Sequence, residues 1–174
     1  MNHLVGFGSL VPGLRLRAIE YHRLSFEADA AGDDVDAVSM AVVVDFGASG
    51  VARFHWRLDP GTEDLWVGPW QPGDPATEVR QHDATSRWGL SGALLVGKSL
   101  AFQLTDRQRS PTPWSCRLAF DHDRSLVIAL GELRPDGGIA YIPDNLVVTD
   151  SRRLATGYWP TSSRSSSWGV EVES

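Results

Sequence analysis

The chain reads as an all-β protein, a single-domain antiparallel β-barrel or two-sheet sandwich of about nine or ten strands. At most one short helix is expected, in the central loop. Three observations predict this. Apolar and polar residues alternate with period two along most of the sequence, as half-buried strands require. Turn-forming Gly, Pro, Asp and Ser recur between the alternating runs. No linker and no internal repeat interrupts the 174 residues, a length that suits one domain with a real core.

Taken in order, Leu14 to Ala28 reads as a long first strand. Its even positions are Leu14, Leu16, Ala18, Glu20, His22, Leu24, Phe26 and Ala28, and its odd ones Arg15, Arg17, Ile19, Tyr21, Arg23, Ser25 and Glu27. That spacing puts the even side inward, unless a bulge near Ile19 reverses the register and turns Ile19 and Tyr21 in. "AVSMAVVVDF" is apolar on both sides, as a fully covered strand is. A Gly47–Gly50 turn leads into "VARFHWRL", with Ala52, Phe54 and Trp56 inward and Arg53, His55 and Arg57 outward. "ALLVGKSLAFQL", "WSCRLAF", "SLVIALGEL" and "GIAYI" continue the pattern, the last two joined by the Pro-Asp-Gly turn of Arg134–Gly138. "NLVV" and "LATGYW" close the sheet.

Asp59 to Gly92 reads as a central loop rich in Gly and Pro, with Asp74-Pro75 able to start the one short helix. Residues 1–160 form the β domain, and 161–174 a Ser-rich tail that frays.

Composition bounds the partners. A net charge of −6 and an acidic pI near 5.3 argue against nucleic acid and against an anionic membrane surface. Only Lys98 among the 16 basic residues is lysine, a bias of coding rather than of function. With one cysteine, Cys116, no internal disulfide can form. No apolar run is long enough to span a bilayer, and the first residues lack the basic and apolar regions of a signal peptide. These features point to a soluble, cytoplasmic protein. The oligomeric state is not legible.

Asp121-His122-Asp123 is the most conspicuous cluster. It lies between runs that alternate in phase, where Asp favours a connecting turn, and adjacent residues on an extended chain point apart rather than converging on a metal. Glu20 and His22 are the better candidates. Two residues apart on one face, they form the pair that general acid/base chemistry uses, or else a structural network. The outward Arg15, Arg17, Arg23, Arg53 and Arg57, with His55, would make a basic stripe suited to carboxylate or phosphate if their strands are neighbours. Seven tryptophans are many for this length. Trp56 and Trp114 belong in the core. Trp66, Trp70 and Trp88 sit in the central loop, where they would form a ligand-contacting surface. Cys116 falls on an apolar face and reads as inert core.

Cys-x-x-Cys, His-Glu-x-x-His, P-loop and Gly-x-Ser-x-Gly patterns are all missing, so no cofactor or metal is implied. "LVGFGSLVPG" resembles the Tyr-Gly-Ser-Leu loop of γ-glutamylcyclotransferase-like proteins over ten residues, with Phe7 at the Tyr position. That family's acidic catalytic motif and helices have no counterpart in the chain, so membership does not follow. The functional expectation is a non-catalytic binding domain that engages a small ligand or a protein partner through the Trp-bearing loop. The alternative is a small barrel enzyme, of isomerase, cyclase or hydrolase type, using Glu20 and His22 as acid and base.

Overall fold

The alternation resolves into two large sheets packed face to face, an all-β sandwich rather than a closed barrel. This computed structural model describes residues 4–26, 32–59, 62–69, 78–105, 108–151 and 170–173. The first sheet runs β1 (Leu4–Val5), β5 (Val51–Asp59), β4 (Ala41–Asp45), β2 (Ala18–Leu24), β7 (Val79–Asp83), with β6 (Thr62–Val67) sharing the β1 edge of β5. The second runs β14 (Val170–Glu173), β8 (Leu95–Thr105), β9 (Gln108–Phe120), β10 (Arg124–Leu130), β13 (Leu146–Thr149), β3 (Val35–Val38). A two-residue hairpin, β11 (Glu132–Leu133) with β12 (Ile139–Ala140), stands apart. All pairs are antiparallel except β1 with β5.

"AVSMAVVVDF" is not one strand but two. β3 ends at Val38, Ser39 and Met40 bend the chain, and β4 enters the opposite sheet. A strand that changes sheets is covered on both sides at once, which explains its unbroken apolar run. The two sheets are tied a second time where Leu14 and Leu16 exchange backbone hydrogen bonds with Leu95, Ala93 and Gly92. Between the sheets lie Ile19, Tyr21, Phe54, Leu118, Phe120, Leu126 and Ile128, all buried.

Several expectations need correction. The first strand is β2 alone, and its register is the reversed one: Ile19 and Tyr21 face the core while Glu20 and His22 face outward. Leu16 is buried and Leu14 half-buried before the strand starts, so the apolar phase shifts between Leu16 and Ile19. The central loop contains β6 and β7. β7 shows no apolar face because it is an exposed edge strand. The tail returns as β14, where the "VEVE" alternation pairs with Ser99–Phe102 of β8. Fourteen strands among the described residues exceed the nine or ten expected, because pairs as short as β1, β11 and β12 leave no periodic signal. Asp74-Pro75 and "LATGYW" lie outside the described residues.

Candidate functional site

Register decides which polar side chains meet. Glu20 pairs with Val43 and Val43 with Arg53; His22 pairs with Ala41, Ala41 with His55, and His55 with Trp66. Directly paired residues share a face, so Glu20, His22, Arg53, His55 and Trp66 all stand on the outer face of the first sheet. Arg57 and Asp64, the next pair along β5 and β6, join them. The expected basic stripe therefore survives only in part. Arg15 and Arg17 precede β2, and Arg23 is turned inward, donating from Nε to the Ala37 carbonyl and lying over the Tyr21 ring.

An outer sheet face is ordinarily wet. Here His22 and His55 are buried, as are Ala41 and Val43 between them. Most of the polar groups are satisfied locally. His22 Nε2 lies 2.6 Å from Glu20 Oε1. Arg57 grips Asp64 with two hydrogen bonds, Nε to Oδ1 at 3.1 Å and Nη2 to Oδ2 at 2.6 Å. The same guanidinium stacks 4.0 Å over the Trp66 ring, which holds the indole in place. Gly68 is needed beside it, since a Cβ there would come within 2.8 Å of Trp66 Nε1.

Two atoms break the pattern. Arg53 Nε and His55 Nε2 are buried and have no hydrogen-bond partner among the described residues. Leaving such a group unmade costs about 1–3 kcal/mol each, a large share of a net stability of roughly 5–15 kcal/mol. His55 Nδ1 sits 3.1 Å from the Trp56 carbonyl and donates to it, so the neutral ring keeps its lone pair on Nε2. Burial first, and the charges of Arg53 and Arg57 with it, lower the His55 pKa and hold the ring neutral; the Trp56 and Pro69 carbonyls oppose them.

The Asp121-His122-Asp123 cluster is the tip of the β9–β10 hairpin, with His122 and Asp123 at φ 58° and 57°. These two left-handed residues let the three-residue connection between Phe120 and Arg124 close the hairpin. The turn borders an open groove of about 950 Å³ that also includes Lys98, Ser99, Arg117 and Arg124. Its charges are engaged. Arg124 binds Asp121 at 2.6 Å and the Gly89 carbonyl, Lys98 donates to the Leu10 carbonyl, and Arg117 to Ser99. The Arg124 hydrogen bond holds the Asp121 carboxyl below the usual range. No group of three or more His, Cys, Asp or Glu side chains converges among the described residues.

No family model, curated protein or solved structure matches this chain. The candidate residues are read from their own chemistry.

Of the three loop tryptophans, the structure brings only Trp66 to the outer face, 37% exposed. Trp70 lies outside the described residues. Trp88 is 8% exposed in the core, and its indole N–H donates to the Tyr21 hydroxyl at 2.6 Å. That hydroxyl donates to Asp36, which Arg87 also holds. Burial and the Asp36 carboxylate push the Tyr21 phenol far up, so it stays protonated as this network needs. Trp114 and Cys116 are buried; burial pushes the thiol up to about 12, well away from nucleophilic use. Sequence reasoning named Arg53 and His55 only as members of a stripe. Their isolation became visible once the register set them between a paired Glu20–His22 and a paired Arg57–Asp64.

Proposed function

We propose that this chain is a non-catalytic binding domain that holds a small ligand on the outer face of its first sheet, against Trp66 and over Arg53 and His55. One observation carries the reading. Two buried nitrogens without partners among the described residues sit between the paired Glu20–His22 and the paired Arg57–Asp64, so the partner they need is external. A small ligand suits this better than a protein. Of the large exposed apolar side chains among the described residues, Val11, Phe26, Trp66 and Val96, only Trp66 lies in a strand of the first sheet, and a protein interface needs a contiguous patch of roughly 1,000 Å² or more.

The acidic composition supports a ligand other than nucleic acid, and the single buried cysteine supports a cytoplasmic setting. No helix among the described residues is long and apolar enough to cross a membrane. The test is two-dimensional NMR of the indole N–H signals while small-molecule mixtures are added. Binding at this face moves Trp66 and leaves Trp88 still; movement of Trp88 alone would place the ligand elsewhere.

The 2.6 Å contact between Glu20 and His22 favours a second reading on the same face, an enzyme using the pair as acid and base. Its test is turnover of any ligand found. Loss of turnover in His22→Gln with binding retained supports catalysis, and equal behaviour of the two proteins removes it.

A further inference from the structure

Resting on the binding reading above, we propose that Arg53 and His55 form a carboxylate subsite. One carboxylate oxygen accepts from Arg53 Nε, the other accepts from His55 Nε2, and the complex draws one proton from solution to supply the second hydrogen bond.

The chemistry follows from what each atom offers. Arg53 Nε is always a donor, because guanidinium does not deprotonate in proteins. His55 Nε2 carries a lone pair, since Nδ1 holds the ring proton against the Trp56 carbonyl. A donor and an acceptor two residues apart on one strand face match a carboxyl group that brings one proton with it. Whether that proton rides on the ring or on the acid, the bound state contains one more than the free components. Residues two apart on one strand face stand about 7 Å apart at the backbone, a span that two converging side chains and one carboxyl group can close.

The neighbours select the sign of the ligand. On β5, Arg53 and Arg57 face His55, and Arg57 is neutralised by Asp64 of β6. On β2, Glu20 is engaged by His22. β4 offers Ala41, Val43 and Asp45, whose carboxylate accepts from the Gly47 amide, and β7 presents Gln81 and Asp83 at the far edge of the row. Arg53 makes no ion pair with any of these carboxylates, Asp45 included. Its charge disfavours a metal cation at Nε2 and favours an anion. Val43 and the Trp66 indole supply an apolar wall, so an aromatic or branched organic acid fits better than a bare inorganic ion.

The test uses the full chain, with benzoate as probe and uncharged benzamide as its control, followed by ring-nitrogen NMR of His55 and indole NMR of Trp66. Benzoate should convert the His55 pattern from one bare and one protonated nitrogen to two protonated nitrogens. Its affinity should rise as pH falls from 7.5 to 6.5, approaching tenfold per pH unit where one proton is taken up. Benzamide should bind weakly and without pH dependence, and Arg53→Met should lose benzoate binding while remaining folded. Benzamide binding as tightly as benzoate, or benzoate moving Trp66 without changing His55, overturns the carboxylate assignment and leaves the binding reading intact. If neither probe nor any mixture moves Trp66 or His55, both are overturned.

Discussion

The two outward regions that attract attention teach opposite lessons. The groove beside the Asp121–Asp123 turn has the room, about 950 Å³, and the conspicuous residues, yet its charges are spent on one another and on backbone carbonyls. The outer face of the first sheet is more closely covered, with His55 only 6% exposed, yet it holds two buried nitrogens without a hydrogen-bond partner among the described residues. Volume marks where a ligand could lie; unanswered polar atoms mark where the fold is incomplete without one. The second criterion is the more discriminating, because a cost of about 1–3 kcal/mol per orphaned group is not carried idly.

The largest effect should come from the paired part of the first face. Asp64→Ala removes a buried carboxylate from Arg57 and should lower unfolding free energy by about 2–3 kcal/mol in urea titrations. It should also release Trp66, seen as a change in indole fluorescence. A loss too small to measure would mean the pairing does not organise this face.

Arg53→Met should go the other way. Replacing the unanswered cation by an apolar chain of similar length should raise stability by about 1 kcal/mol while abolishing ligand binding. A variant destabilised as strongly as Asp64→Ala would make Arg53 an ordinary structural residue.

A smaller effect concerns pH. The His55 pKa is lowered in the fold, so the unfolded chain binds the proton more readily. Stability is therefore complete above the ordinary histidine value of about 6.5 and falls as pH drops below it. His55→Gln should flatten the wild-type decline below about pH 6.5. Identical pH profiles for the two proteins would deny His55 its buried neutral state.

The smallest effect belongs to the groove. Asp121→Ala breaks an ion pair between two partly exposed side chains and should leave both the urea midpoint and benzoate binding at wild-type values. Loss of binding in this variant would reverse the comparison.

Much of this was legible in advance, and the gaps have physical causes. The β class and the inward Phe54, Trp114 and Cys116 follow directly from period-two spacing. The Asp121–Asp123 turn follows from the matched phase of its flanking runs. The orientation of Glu20 and His22 could not be fixed, since one shift of phase between Leu16 and Ile19 exchanges the two sides of a strand. β7 was hidden because an edge strand with both faces open has no apolar rhythm to detect. The outer-face cluster depends on four strands meeting in one register, and no single segment encodes that. Trp88 illustrates the converse: a tryptophan between glycine-rich stretches looked available, and a hydrogen bond to Tyr21, 67 residues away, placed it in the core.

Native mass spectrometry of the gently purified chain, exposed to a pool of small organic acids and compared with Arg53→Met, tests the central claim most directly. The account predicts one acid retained per wild-type chain, released on denaturation, and none on the variant. Identical spectra for the two proteins, whether both loaded or both bare, would contradict it.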